Sequence, residues 1–90
     1  MNESRPTPTT ELAGARVAFL ATDGFELSEL RSPKEALTHV GARVDIVALR
    51  SGSIKGWQDG DWHGTQQVDV LVEEARMEDY DALVIPGGVI

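Results

Sequence analysis

Two short apolar runs, each closed by turn-forming residues, constrain this chain more than any other feature. The first is Val17-Ala18-Phe19-Leu20-Ala21, followed by Thr22-Asp23-Gly24. The second is Ala82-Leu83-Val84-Ile85, followed by Pro86-Gly87-Gly88. A run that is apolar at every position, not at alternate ones, fits a strand buried on both faces, as in a parallel sheet. Val44-Asp45-Ile46-Val47-Ala48-Leu49 is a further strand candidate. Before it, Ser32-Pro33-Lys34-Glu35 reads as a helix start: Ser32 can cap, Pro33 suits the first helical position, and Glu35 sits where a capping box wants it. Ala36, Leu37 and Val40 supply an apolar stripe, and Gly41 supplies the left-handed residue that ends helices. The pattern predicts a helix of about two turns, with residues 26–31 forming a preliminary turn that runs into it. Strand, helix and strand make a βαβ unit with a right-handed crossover.

The remaining stretches are less regular. Residues 51–64 hold four glycines and both tryptophans, and read as a hairpin-like excursion or a long loop. In residues 67–72, Val68, Val70 and Val72 alternate with Asp69 and Leu71, which predicts a short strand. The acidic segment 73–80 has room for one helical turn. Residues 1–14, with two prolines and several Ser and Thr, are expected to form a flexible tail ahead of a domain over residues 15–90. The whole is an α/β three-layer start with a parallel sheet. So few strands and one firm helix cannot cover both faces of an open sheet, so the segment reads as part of a domain.

Composition narrows the partners. Fifteen acids against eight bases give a net charge of -7, which argues against nucleic acid, because phosphate binding needs clustered Lys and Arg. No apolar run approaches the ~18 residues of a membrane-crossing helix, and residues 1–6 carry no secretory h-region. No membrane partner is expected, and a cytoplasmic setting is the default. Cysteine is absent, so disulfides, thiolate metal sites and cysteine chemistry are excluded within this stretch.

Ligands of parallel α/β sheets sit beyond the carboxyl ends of the strands. Residues 22–29 and residues 86–90 meet that description. If their two strands are neighbours, both loops face one crevice. Glu26 and Glu29 are three residues apart, so one helical turn sets them on the same face. A carboxyl there could orient or protonate a nucleophile, partial burial suiting it to that task; equally, acids near a helix N-terminus complement the helix dipole. Gly87 and Gly88 could offer two backbone N–H groups to a developing oxyanion, or simply form a turn that needs positive φ. His63 reads as a surface loop residue and His39 as a cation suited to a helix C-terminus. Trp57 and Trp62 could line a pocket or subunit contact, or pack the loop on its own sheet. No metal site, phosphate loop, dinucleotide fingerprint or nucleophile elbow is present.

Taken in order, these segments resemble the DJ-1/PfpI family. Residues 16–30 are similar to its opening strand and acidic turn. Ser32-Pro33, Ala36-Leu37 and Val40-Gly41-Ala42 are similar to its first helix and exit. Tyr80-Asp81-Ala82-Leu83-Val84-Ile85-Pro86-Gly87-Gly88 resembles its Tyr-Asp-Ala-Leu-(aliphatic)₂-Pro-Gly-Gly strand. Ile54-Lys55-Gly56-Trp57 with Asp61-Trp62 resembles the branch of PfpI-like intracellular proteases and general stress proteins. The resemblance implies a flavodoxin-like parallel sheet sandwich of the class I glutamine amidotransferase-like kind, here in its N-terminal part.

The resemblance also implies site residues. Glu29 matches the glutamate that hydrogen-bonds the nucleophilic cysteine, and Glu26 the neighbouring acid. Gly87 and Gly88 match amides that form an oxyanion site. The implied activity is that of a cysteine-dependent peptidase, deglycase or glyoxalase with a stress-protection role. Its substrate would be a small aldehyde or a peptide, with no metal or organic cofactor, in a dimer or higher homo-oligomer. The family's cysteine lies downstream, beyond residue 90, so these 90 residues alone are expected to be inactive and to melt with poor cooperativity. The alternative is a non-catalytic, stress-related binding or chaperone-like α/β module. A receiver-like signalling domain fits poorly: it wants an acidic pair after the first strand and an aspartate ending the third, and Pro86 stands in the way.

Overall fold

The computed structural model describes residues 11–88. In chain order the elements are β1 (Arg16–Leu20), β2 (Phe25–Glu26), α1 (Leu27–His39), β3 (Arg43–Ala48), β4 (Ser53–Gln58), β5 (Asp61–Gln67), β6 (Val70–Leu71), a 3-10 turn (Met77–Asp79) and β7 (Ala82–Val84). The first all-apolar run becomes β1, inside a parallel sheet in the order β6-β3-β1-β7, whereas the second becomes the edge strand β7. Burial on both faces, expected for both runs, is met by β1 alone: Leu83 is 43% exposed, because no further strand pairs beyond β7 among the described residues. In the register of the sheet Phe19 lies beside Ile46 on one flank and Val84 on the other. The two loops leaving β1 and β7 are therefore side by side at one end of neighbouring strands. The carboxyl-end crevice expected from the sequence follows from that adjacency.

The excursion over residues 51–64 is a true hairpin. β4 and β5 pair antiparallel, and Asp59 and Gly60 join them with positive φ of 54° and 81°, the backbone of a type I′ turn. Trp57 and Trp62 are cross-strand partners there, with rings edge-to-face at 5.2 Å. Short β2 adds to β4 in parallel, giving a second, three-stranded sheet, β2-β4-β5. β2 thus fixes the residues that lead into α1 against the hairpin.

α1 corrects the expected helix. It begins at Leu27, not near Ser32, and Pro33 lies inside it. Leu27 and Leu30 are 3% and 0% exposed, and burying them contributes about 1.5–3 kcal/mol each. That offsets the ~3 kcal/mol of an interior proline, which has no N–H to donate to the Glu29 carbonyl. Tertiary burial overrides the Ser-Pro start signal. The exit is as expected: Gly41 has φ 99°, and the N–H groups of Gly41 and Ala42 donate to Thr38 O and Leu37 O, both at 3.0 Å. These are the paired bonds of a Schellman cap.

The strand expected over residues 67–72 is also corrected. Gln67 belongs to β5, and only Val70–Leu71 pair with β3. Between them Asp69 bonds Ile46 through both its backbone N–H (2.8 Å) and its carboxylate (2.7 Å). The side chain thereby takes over one ladder position. Of the tail expected over residues 1–14, the first ten residues lie outside the described part. Residues 11–14 form a turn in which Leu12 N–H donates to Val40 O at 2.9 Å. The core lies between the parallel sheet, α1 and the hairpin, where Phe19, Leu30, Ile46 and Ile54 are fully buried. No described helix is long and apolar enough to cross a membrane.

Candidate functional site

The site is built where the loop after β1 meets the segment after β7. Thr22 to Phe25 form a turn closed by Phe25 N–H to Thr22 O at 3.2 Å. Phe25 is buried and pairs as an antiparallel bridge with Gly88. Glu26 N–H donates to Gly87 O at 2.6 Å. One turn into α1, the Glu29 carboxylate accepts Gly87 N–H through Oε1 at 2.8 Å. The structure thus brings three of the four expected site residues, Glu29, Gly87 and Gly88, into one contact set. The fourth, Glu26, joins through its backbone: it stands at the N-cap position of α1, and its side chain makes no cap hydrogen bond. Glu29 is exposed, so the partial burial that would suit it to proton transfer is not found here. It lies in the first turn of α1, so it also complements the helix dipole.

Gly88 is required by close approach, whereas a side chain at Gly87 would only push the Glu29 carboxylate aside. Neither is among the glycines with positive φ, so the simple turn reading does not account for them. A Cβ on Gly88 would lie 2.1 Å from Gly24 O and 2.8 Å from Phe25 Cα, both rigid backbone atoms. A Cβ on Gly87 would lie 2.8 Å from Glu29 Oε1. Bare backbone at this strand end lets an N–H reach a carboxylate directly.

Sequence reasoning did not single out Asp23 as part of this site. Its Oδ1 accepts Lys55 N–H at 2.8 Å, and its Oδ2 pairs with the Arg50 guanidinium. The Lys55 N–H bond, assisted by Arg50, holds the Asp23 carboxyl below its ordinary pKa of 3.8. An aspartate directly after an apolar strand and before glycine was the available signal. The strand it bonds to, β4, lies 32 residues away, a pairing no local pattern reveals. An apolar hollow of about 300 Å³ adjoins Gly87, walled by Leu20, Ala21, Phe25, Val72 and Ile85 among others. His63 is exposed on β5 and His39 exposed at the end of α1, and neither comes to the site.

The profile of the DJ-1/PfpI family matches residues 15–90. The chain belongs to the DJ-1/PfpI family. It is 40% identical over 74 residues to an uncharacterized protein of Staphylococcus epidermidis, a match covering 81% of this chain and 41% of the relative. An uncharacterized Staphylococcus aureus protein is 40% identical over 73 residues, with 41% of its length covered. The chain therefore spans about two fifths of the length of these curated relatives. Among solved structures it is similar to a two-domain protein with DJ-1/ThiJ/PfpI-like and ferritin-like domains from Anabaena variabilis. The TM-score is 0.73 at 32% identity, covering 82% of this chain and 21% of that one. A ThiJ/PfpI domain protein from Brachyspira murdochii superimposes with a TM-score of 0.71 at 21% identity, covering 86% of this chain and 42% of that one. The parallel α/β sheet of this chain is thus the DJ-1-like fold, represented over part of its length.

Proposed function

We propose that this chain carries the acid-and-amide part of a cysteine-dependent hydrolase or lyase site of the DJ-1/PfpI kind. Its thiolate would come from sequence beyond residue 90. The observation that carries the reading is the 2.8 Å bond from Gly87 N–H to Glu29 Oε1. That bond orients the carboxyl and leaves Oε2 without a partner among the described residues. A protonated carboxyl held this way can accept from Gly87 through one oxygen and donate to a thiolate through the other. Such donation stabilises the sulfur as the reactive anion. Gly87 N–H belongs to Glu29 in the resting site, so an oxyanion gains that donor only by displacing Oε1. Gly88, on the same strand end, is the second candidate donor.

Peptidase, deglycase and glyoxalase chemistry all use such a thiolate, on a peptide or a small aldehyde. A cytoplasmic setting, where thiols stay reduced, suits it, as does a homo-oligomer that closes the crevice. The test uses a longer chain that includes the cysteine. Glu29→Ala, which removes both the acceptor and the donor, should slow alkylation of that thiol by iodoacetamide about tenfold at neutral pH, and slow methylglyoxal consumption in parallel. Unchanged rates would remove Glu29 from the mechanism.

A second reading, a stress-related binding or chaperone-like module without catalysis, draws on apolar side chains left in solvent: Leu49 is 74% exposed and Ile85 67%. Suppression of client aggregation by a chain whose cysteine is replaced would favour it.

A further inference from the structure

The acidic turn is held from two sides. On one side Glu26 and Glu29 bond Gly87, as described. On the other, Asp23 and Gly24 grip the β4 backbone at a single residue: Lys55 N–H donates to Asp23 Oδ1 and Gly24 N–H donates to Lys55 O, both at 2.8 Å. Parallel pairing of Phe25 with Gly56 and of Glu26 with Trp57 continues from that grip. We infer that Asp23 is a positioning residue, latching the turn to the β4–β5 hairpin so that Glu29 is presented to Gly87. The inference rests on the proposed role of the Glu29–Gly87 contact and extends that site to a residue that touches neither partner.

The backbone bond and the ion pair differ in weight. Arg50 and Asp23 have side chains 67% and 33% exposed, and solvated pairs of this kind contribute little. The bond from Lys55 N–H satisfies a main-chain donor on β4, and no other side chain bonds it. Without it the Asp23–Gly24 peptide keeps one tether to β4 where it had two. The turn can then rotate, carrying the first turn of α1 with it. The latch should therefore depend on an acceptor oxygen at position 23 more than on its charge.

Amide hydrogen exchange followed by NMR on the longer chain that includes the cysteine tests the inference, with Gly87 as the reporter. Ile46, whose N–H is bonded to Asp69 on the far side of β1, serves as the reference. Asp23→Ala should speed Gly87 exchange about tenfold, the same change as Glu29→Ala, and leave Ile46 within about twofold. Asp23→Asn, which keeps the acceptor and removes the charge, should restore most of the Gly87 protection. Arg50→Ala should change it less than Asp23→Ala does. Wild-type exchange at Gly87 in Asp23→Ala would overturn the latch. So would equal acceleration at Gly87 and Ile46, or failure of Asn to rescue. A Glu29→Ala chain with unchanged Gly87 exchange would instead remove the underlying contact, a result that involves no change at Asp23.

Discussion

Each end of the parallel sheet carries a carboxylate, and the two are treated in opposite ways. At the amino ends of the strands Asp45 is 5% exposed. It accepts the Tyr80 hydroxyl at 2.7 Å and Arg43 Nε at 3.4 Å, with the Arg16 guanidinium 3.9 Å away. The same Arg16 lies over the Tyr80 ring at 5.3 Å, and its backbone exchanges hydrogen bonds with Asp81, one to the Asp81 carboxylate and one from the Asp81 N–H. At the carboxyl ends Glu29 is exposed and bonded through one oxygen to a single amide. A buried carboxylate bonded through both oxygens and matched by two arginines joins β3 to the segment entering β7. A carboxylate with one oxygen held and one free is oriented without being consumed. The contrast separates the structural end of this sheet from the end at which the proposed chemistry would take place.

Removing the buried carboxylate should have the largest effect. Asp45→Ala leaves the Tyr80 hydroxyl without its partner and two arginines without a counter-charge, and should cost about 2–3 kcal/mol in urea unfolding. A loss below about 0.5 kcal/mol would mean that this end is as dispensable as an ordinary surface site, and the contrast would fail.

Next in size is Gly88→Ala. The added methyl meets two backbone atoms, so the segment after β7 must move away from the acidic turn. A cost of about 1–3 kcal/mol is expected for such overpacking. The amide signals of Phe25, Glu26 and Gly87 should shift, while those of β3 stay in place. An unshifted Gly87 would show that the close approach of the two loops does not hold in solution.

Tyr80→Phe sharpens the comparison further, since it deletes one bond and spares the carboxylate. About 1 kcal/mol is expected. Burial, and then the adjacent Asp45, push the Tyr80 phenol above its ordinary pKa of 10.0. A group raised in the folded state contributes stability that is complete below its unfolded value and is lost as pH climbs through the folded one. The wild-type chain should therefore lose stability above pH 10.0, and Tyr80→Phe should lack that component, since Tyr80 is the single tyrosine. Asp23 supplies the opposite limb. Its depressed carboxyl contributes stability above its unfolded value of 3.8, lost as pH falls through the lower folded value.

How much of this was legible beforehand depended on the range of the signal. Apolar runs ending in turn formers marked β1, β3 and β7 to within a residue or two, because the run itself is local; that β7 would stand exposed at the sheet edge was not legible, since it depends on which strands pair. Gly41 marked the helix exit because a Schellman cap is local. The helix start was misread because Ser32-Pro33 is a strong local signal outweighed by two leucines that bury against a sheet formed elsewhere in the chain. Glu29 and the two glycines were found through their place after strands, but the reason position 88 needs glycine was not: it lies in Gly24 O and Phe25 Cα, atoms from another loop. Asp45 and Asp23 were invisible as partners because their bonds reach residues 35 and 32 positions away.

The smallest expected effect is the most informative for function. Glu29→Gln keeps an acceptor for Gly87 N–H and removes one exposed charge from the first turn of α1. The lost dipole interaction is worth about 0.3–0.5 kcal/mol at this exposure, so unfolding should change by no more than that. A residue that matters to stability this little, yet accepts a 2.8 Å bond from a strand-end glycine N–H, is positioned for something other than folding. If Glu29→Gln destabilised the chain as much as Asp45→Ala, the two ends of the sheet would be alike. Glu29 would then be a second structural tie, with its free oxygen incidental.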